Sequence, residues 1–165
     1  PQKSMPYKYI ATIIDYIAAT FDCYLVFNYA PHQKEEAAKI YDLCQNKSNI
    51  ILDLYAPSIR DFAVLMNKCS VLVSNEGGTV HIAKAIDKPT FTIFSPYVNK
   101  DHWASFEDGK KYTSIHLLEK KPDLFNQFTF EERKAIEKNP DYLYQELTPS
   151  MIIPDLEVFL KDNLR

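Results

Sequence analysis

A chain of 165 residues can bury one good-sized core and is too short for two full ones. A net charge of −3 with no long basic run argues against a nucleic-acid partner. No apolar run reaches membrane-spanning length. Cys23, Cys44 and Cys69 are odd in number and widely spaced, with no CxxC pair, so neither a zinc site nor a disulfide framework is predicted. Buried free thiols in a reducing compartment are expected. Eleven Tyr and ten Phe imply either aromatic surface or a thick core with a tyrosine-rich rim. The chain opens on Pro1-Gln2-Lys3 without a methionine, and a piece of a longer protein is expected.

The first predicted helix carries Ile10, Ile13, Ile14, Ile17, Ala18 and Phe21 at helical spacing. Cys23 to Phe27 is a continuous apolar run and reads as a buried strand. Asn28 to Gln33 is the turn after it. A second helix turns Ala37, Ile40, Tyr41 and Cys44 inward and sets Glu35 and Glu36 at its start, where the helix dipole favours them. Asn49 to Leu54 is the next strand, and Ser58 with Asp61 forms a capping-box start for a helix burying Ile59, Phe62, Ala63 and Met66.

Val71 to Val73 is a short β-branched run, Ser74 to Thr79 a small polar turn with two adjacent glycines, and Val80 to Ile86 a helix. Lys88-Pro89 stops that helix and Thr90 to Phe94 is a strand. This is a βαβ unit whose glycine turn sits at a strand's carboxyl end, where open α/β sheets bind ligands and a helix start offers free N–H groups to an anion. Tyr97 to Lys111 is a long loop in which Trp103 is either a packing anchor or part of a cleft wall. Tyr112 to Leu117 is a last strand, Phe128 to Lys138 a helix, and Pro140 with Tyr142 to Tyr144 a connector. The final helix opens at Thr148-Pro149-Ser150, and Pro154 predicts that its regular part begins nearer Ile153. Five strands alternating with helices predict a Rossmann-like parallel sheet with helices on both faces, in one domain over residues 1–165.

The run Ser74-Asn75-Glu76-Gly77-Gly78-Thr79-Val80-His81-Ile82-Ala83, followed by Phe94-Ser95-Pro96, resembles the signature of the ADP-heptose:lipopolysaccharide heptosyltransferases, glycosyltransferase family 9. Glu76 stands where that family more often has Asp, and Gly77 where Thr or Ser is commoner. The resemblance covers about residues 1 to 118. It implies the C-terminal, nucleotide-binding half of a two-domain GT-B enzyme, whose N-terminal acceptor domain and catalytic aspartate lie outside this chain. It implies an ADP-sugar donor, a lipopolysaccharide core acceptor, no metal and no cofactor, and a cytoplasmic enzyme peripheral to the inner face of the bacterial inner membrane. A fragment of this kind is expected to bind without turning over.

The resemblance also implies the site. Lys3, three residues before a proline, would reach the diphosphate. Gln33, after Ala30-Pro31-His32, stands where an acidic residue touches the nucleoside, and an amide can bond a ribose hydroxyl equally well. Pro57 would shape the place of the base. Asn75, Glu76, Gly77, Gly78, Thr79 and His81 would hold the sugar diphosphate. Glu76 is read as facing sugar hydroxyls or backbone N–H groups rather than the phosphates, a role compatible with an N-cap carboxylate, and His81 either as a phosphate donor or as a core histidine bonded to a carbonyl. Two other classes compete. The non-hydrolysing UDP-N-acetylglucosamine 2-epimerases share the glycine pair but prefer a glutamate in the following helix, where His81 and Ala83 stand here. A non-enzymatic phospho-receiver would need an acidic cluster where this chain has Asn28-Tyr29-Ala30.

Overall fold

The computed structural model describes residues 5–54, 56–138 and 141–164. It is an α/β fold with parallel strands, and the strands fall into a sheet of two and a sheet of three. The chain divides into two compact units, one of residues 6–65 and the other of Met5 with Met66 onward.

In the 6–65 unit, helix α1 (Tyr7–Thr20) buries Ala11, Ile13 and Ile17. Strand β1 (Leu25–Val26) pairs in parallel with β2 (Ile50–Ile51), and α2 (Lys34–Leu43) makes the crossover between them and packs on α1. Ala11, Cys44 and Ile50 centre a small core completed by Ile14, Leu25, Phe27, Ile40 and Tyr41. All three cysteines are free, with Cys44 buried and Cys23 and Cys69 half-buried. Burial, then the Asp15 charge, pushes the Cys44 thiol up to about 11. Asp15 Oδ1 accepts the N–H groups of Gln45 and Asn46 at 2.8 and 2.9 Å and so closes the turn after α2.

Both strands are shorter than their apolar runs because side chains take over where the ladder stops. Phe27 N still donates to Ile51 O at 3.0 Å. Beyond it, Asn28 Oδ1 accepts from Ala56 N at 3.1 Å and the Tyr29 hydroxyl donates to Leu52 O at 3.3 Å. Helix α3 (Ile59–Lys68) begins as predicted: Ser58 Oγ accepts from Asp61 N at 3.2 Å and donates to Asp61 Oδ2 at 2.6 Å. Ser58→Ala is expected to cost about 1 kcal/mol, a fall in Tm of about 2–4 °C in a chain of this size. A melt indistinguishable from the wild type would show the cap to be idle.

In the other unit the strand order is β3 (Leu72–Asn75), β4 (Thr90–Ile93), β5 (Tyr112–Ile115), all parallel. The central strand is covered on both faces, with Thr90, Phe91, Thr92 and Ile93 all buried, as a continuous apolar-leaning run requires. Helix α4 (Gly78–Ala85) connects β3 to β4 and packs on both. After β5 come α5 (Leu117–Lys120), α6 (Phe130–Lys138), α7 (Asp141–Glu146) and α8 (Pro149–Asn163). Helix α8 buries Ile152, Leu156, Phe159 and Leu160, and the Phe159 ring meets Phe91 at 5.7 Å between centroids.

Several expectations are corrected here. The run Cys23 to Phe27 is not a buried strand, since Tyr24 is 74% exposed and Leu25 and Val26 are half-buried, and Ile59, expected inward, is 72% exposed in the first turn of α3. Tyr142 to Tyr144 belong to a helix, not a connector: Leu143 and Tyr144 are buried, and tertiary burial of that face outweighs weak local propensity. Pro140 lies outside the described residues. The last helix is regular from Pro149, with Pro154 inside it. Pro149 takes the first helical position, where its missing N–H is no loss, and Pro154 removes a single bond that the buried stripe outweighs.

Candidate active site

The glycine turn lies at the carboxyl end of β3, as its sequence predicts. Gly77 holds φ 154° and is the N-cap of α4, a backbone conformation that a side chain rarely tolerates. No side chain among the described residues caps the helix. The N–H groups of Gly77, Gly78 and Thr79 bond to nothing among the described residues, and Val80 N returns to Gly77 O at 3.1 Å. A Cβ added at Gly77 or Gly78 would meet no atom within 4 Å. The glycine pair therefore bounds open space faced by free donors and by the positive end of a helix.

Glu76 is not the N-cap. Its backbone N–H continues the ladder to Ile93 O at 3.2 Å, and its carboxylate reaches across to the next strand, where Oε2 accepts from Ser95 N at 2.7 Å. Burial pushes this half-buried carboxyl above the usual carboxylate range, and the Ser95 N–H opposes the shift. His81 is not a core histidine either. It is exposed one turn into α4, and no neighbouring carbonyl among the described residues engages it. Asn75 is exposed and Thr79 half-buried at the second helical position.

The buried histidine is His116, which sequence reasoning passed over. Its Nδ1 accepts from Leu118 N at 3.1 Å, so the proton sits on Nε2, 3.1 Å from Val98 O. Burial holds it below the usual histidine range. Ser95 and Tyr144 were missed as well. The Tyr144 hydroxyl donates to Ser95 Oγ at 2.8 Å in the interior. Burial, with the Glu76 charge adding to it, pushes the Tyr144 phenol above its ordinary value against that bond. Tyr97, whose ring lies 6.2 Å from that of Tyr144, is driven up to about 12, chiefly by burial. The turn 95–98 is thus fixed from three sides. The signal available in sequence was the position of Ser95 at the carboxyl end of β4, beside the glycine turn.

The loop 97–111 is ordered by charge, and Trp103 within it is 56% exposed. Lys84 of α4 donates to Ser105 O at 2.8 Å and pairs with Glu107 at 3.6 Å, its side chain only 5% exposed. Ser114 Oγ also bonds Glu107, and Lys100 joins Glu107 to Glu119. The helix that presents the glycine turn is tied through Lys84 to this loop.

The remaining predicted residues belong to the 6–65 unit or fall outside the described chain. Gln33 is exposed, and its Oε1 accepts from Ala30 N at 3.1 Å, closing its own turn. Pro57 is exposed just past Ala56, whose N–H is bound by Asn28. Asn28 and Ala56 follow neighbouring parallel strands, so both turns lie at carboxyl ends. Lys3 lies outside the described residues. A cavity of about 490 Å³ opens at the other end of the three-stranded sheet, lined by Asn67, Ser70, Lys88, Lys111 and Asp162 among others. It faces the strands' amino ends, whereas the free N–H groups stand at the carboxyl ends, the side where open α/β sheets take ligands. Among the described residues no three or more His, Cys, Asp or Glu gather in a metal-binding cluster, and no helix is long and apolar enough to cross a membrane.

No curated protein and no solved structure matches the chain. Residues 2–133 match a family model over most of the sequence, the turn 74–81 and the strand β4 included. The chain belongs to glycosyltransferase family 9 (heptosyltransferase).

Proposed function

We propose that this chain binds the ADP-sugar donor of a glycosyltransferase that moves a heptose onto a lipopolysaccharide core sugar. The observation that carries the reading is the turn 76–79. Three backbone N–H groups without acceptors among the described residues stand beside space that both glycines leave clear, at the start of a helix. A diphosphate suits such a turn, since its oxygens accept what the backbone offers. When the bond from the sugar's anomeric carbon to the diphosphate breaks, negative charge gathers on the leaving phosphate, and fixed dipoles stabilise it without reorganising. Thr79 and His81 would add donors from the first turn of α4. Glu76, anchored through one oxygen, would offer the other to a sugar hydroxyl.

The acceptor and the base that takes the proton of its hydroxyl are assigned to a second domain beyond this chain, so the chain alone binds without turning over. Work at the inner face of the bacterial inner membrane, and catalysis without a metal, belong to the same proposal. Calorimetric titration with ADP and UDP, with and without magnesium, tests it. ADP is expected to bind without magnesium and to be preferred. His81→Ala is expected to weaken ADP binding about five-fold, the worth of one hydrogen bond. A preference for UDP would favour the epimerase-like reading, and binding of neither nucleotide would remove the donor reading.

A further inference from the structure

Tyr144 lies beyond residue 133, where the family match ends. Its hydroxyl is nonetheless carried back to the candidate site. Helix α7 is seated by the buried Leu143, by Leu147 just after it, and by the Glu146–Lys121 ion pair at 2.5 Å. A phenylalanine would fill the same volume against Tyr97 without burying an oxygen. A buried hydroxyl must find a partner, and this one finds Ser95 Oγ. The same serine gives its backbone N–H to Glu76. Two bonds on one residue fix both its side-chain rotamer and the direction of its N–H, and that N–H is the anchor of the Glu76 carboxylate.

We propose that Tyr144 is a positioning residue of the donor site, setting the Glu76 carboxylate through Ser95. The inference rests on the donor reading above, with Glu76 on the sugar and the glycine turn on the diphosphate. Tyr144 therefore bears on the sugar half of the donor and not on the nucleotide half. It gives the segment after residue 133 a part in choosing the sugar.

The test is a double-mutant cycle in the full chain, read by titration with ADP-heptose and, separately, with ADP. Tyr144→Phe is expected to weaken ADP-heptose binding about five-fold and to leave ADP affinity unchanged within error. Ser95→Ala, which removes the same bond from its other end, should reproduce that split. In a Glu76→Ala background, Tyr144→Phe should change nothing further, because the group it positions is gone. Equal loss for ADP and ADP-heptose, or a five-fold loss that persists without Glu76, would reduce Tyr144 to a packing residue. Unchanged ADP-heptose affinity in both Tyr144→Phe and Ser95→Ala would overturn the proposal while leaving the donor reading intact. If Glu76→Ala itself leaves ADP-heptose affinity untouched, it is the assignment of Glu76 to the sugar that fails, and the proposal fails with it.

Discussion

Gly78→Val is expected to leave the chain folded and to lower its affinity for ADP on the order of 100-fold, the scale of losing a preorganised donor. Gly78 begins α4, where valine ranks above glycine in helix propensity, and nothing lies within 4 Å of the added Cβ. The fold therefore gives no reason for glycine at this position. The proposed donor would, because the two γ-methyls would occupy the space that a diphosphate needs in order to reach the N–H groups. Gly77 makes the useful contrast. At φ 154° any side chain strains the backbone by about 1–3 kcal/mol, so Gly77→Ala should lower both the melting temperature and the affinity. Matched melts and titrations separate the two cases. A Gly78→Val protein that melts like the wild type and binds ADP equally well would show that no anion sits on this turn.

The parts of this site carried by short-range pattern were legible in the sequence. Val71 to Val73, the glycine pair and the helix after it form a contiguous unit, and the structure places strand, turn and helix where the apolar spacing puts them. What could not be read depends on contacts across long separations. Ser95 and Tyr144 are 49 residues apart, and the tyrosine stands on a six-residue helix that has little local reason to form. Glu76 illustrates a different limit. A carboxylate just before a helix reads as a cap, yet the parallel register brings Ser95 N close enough to claim it. The division of the strands into two sheets was equally hidden. The shortness of β1 and β2 also depends on Asn28 and Tyr29 taking over where their ladder stops, which alternation of apolar residues does not report.

Glu76→Gln should stabilise the protein near neutral pH while weakening its hold on the donor sugar. Burial raises the pKa of this carboxyl in the folded chain above its unfolded value. A group raised in this way contributes stability that is fully present below the unfolded pKa, near 4.3 for glutamate, and that contribution is lost as pH rises through the folded pKa. The glutamine keeps an oxygen for the Ser95 N–H and never carries the buried charge. Its melting temperature should therefore match the wild type below about pH 4 and exceed it near neutrality. Each kcal/mol recovered is worth about 2–4 °C in a chain of this size. Binding should move the other way, because a hydrogen bond from a sugar hydroxyl to a charged acceptor is worth more than one to an amide. ADP-heptose affinity is expected to fall about ten-fold. A variant less stable than the wild type at neutral pH would show that the Ser95 bond to the charged form outweighs its burial. Gained stability with unchanged donor affinity would leave the cost of keeping a half-buried carboxylate at this turn without a function. Stability gained together with affinity lost is the pattern of a site that holds strain for its ligand.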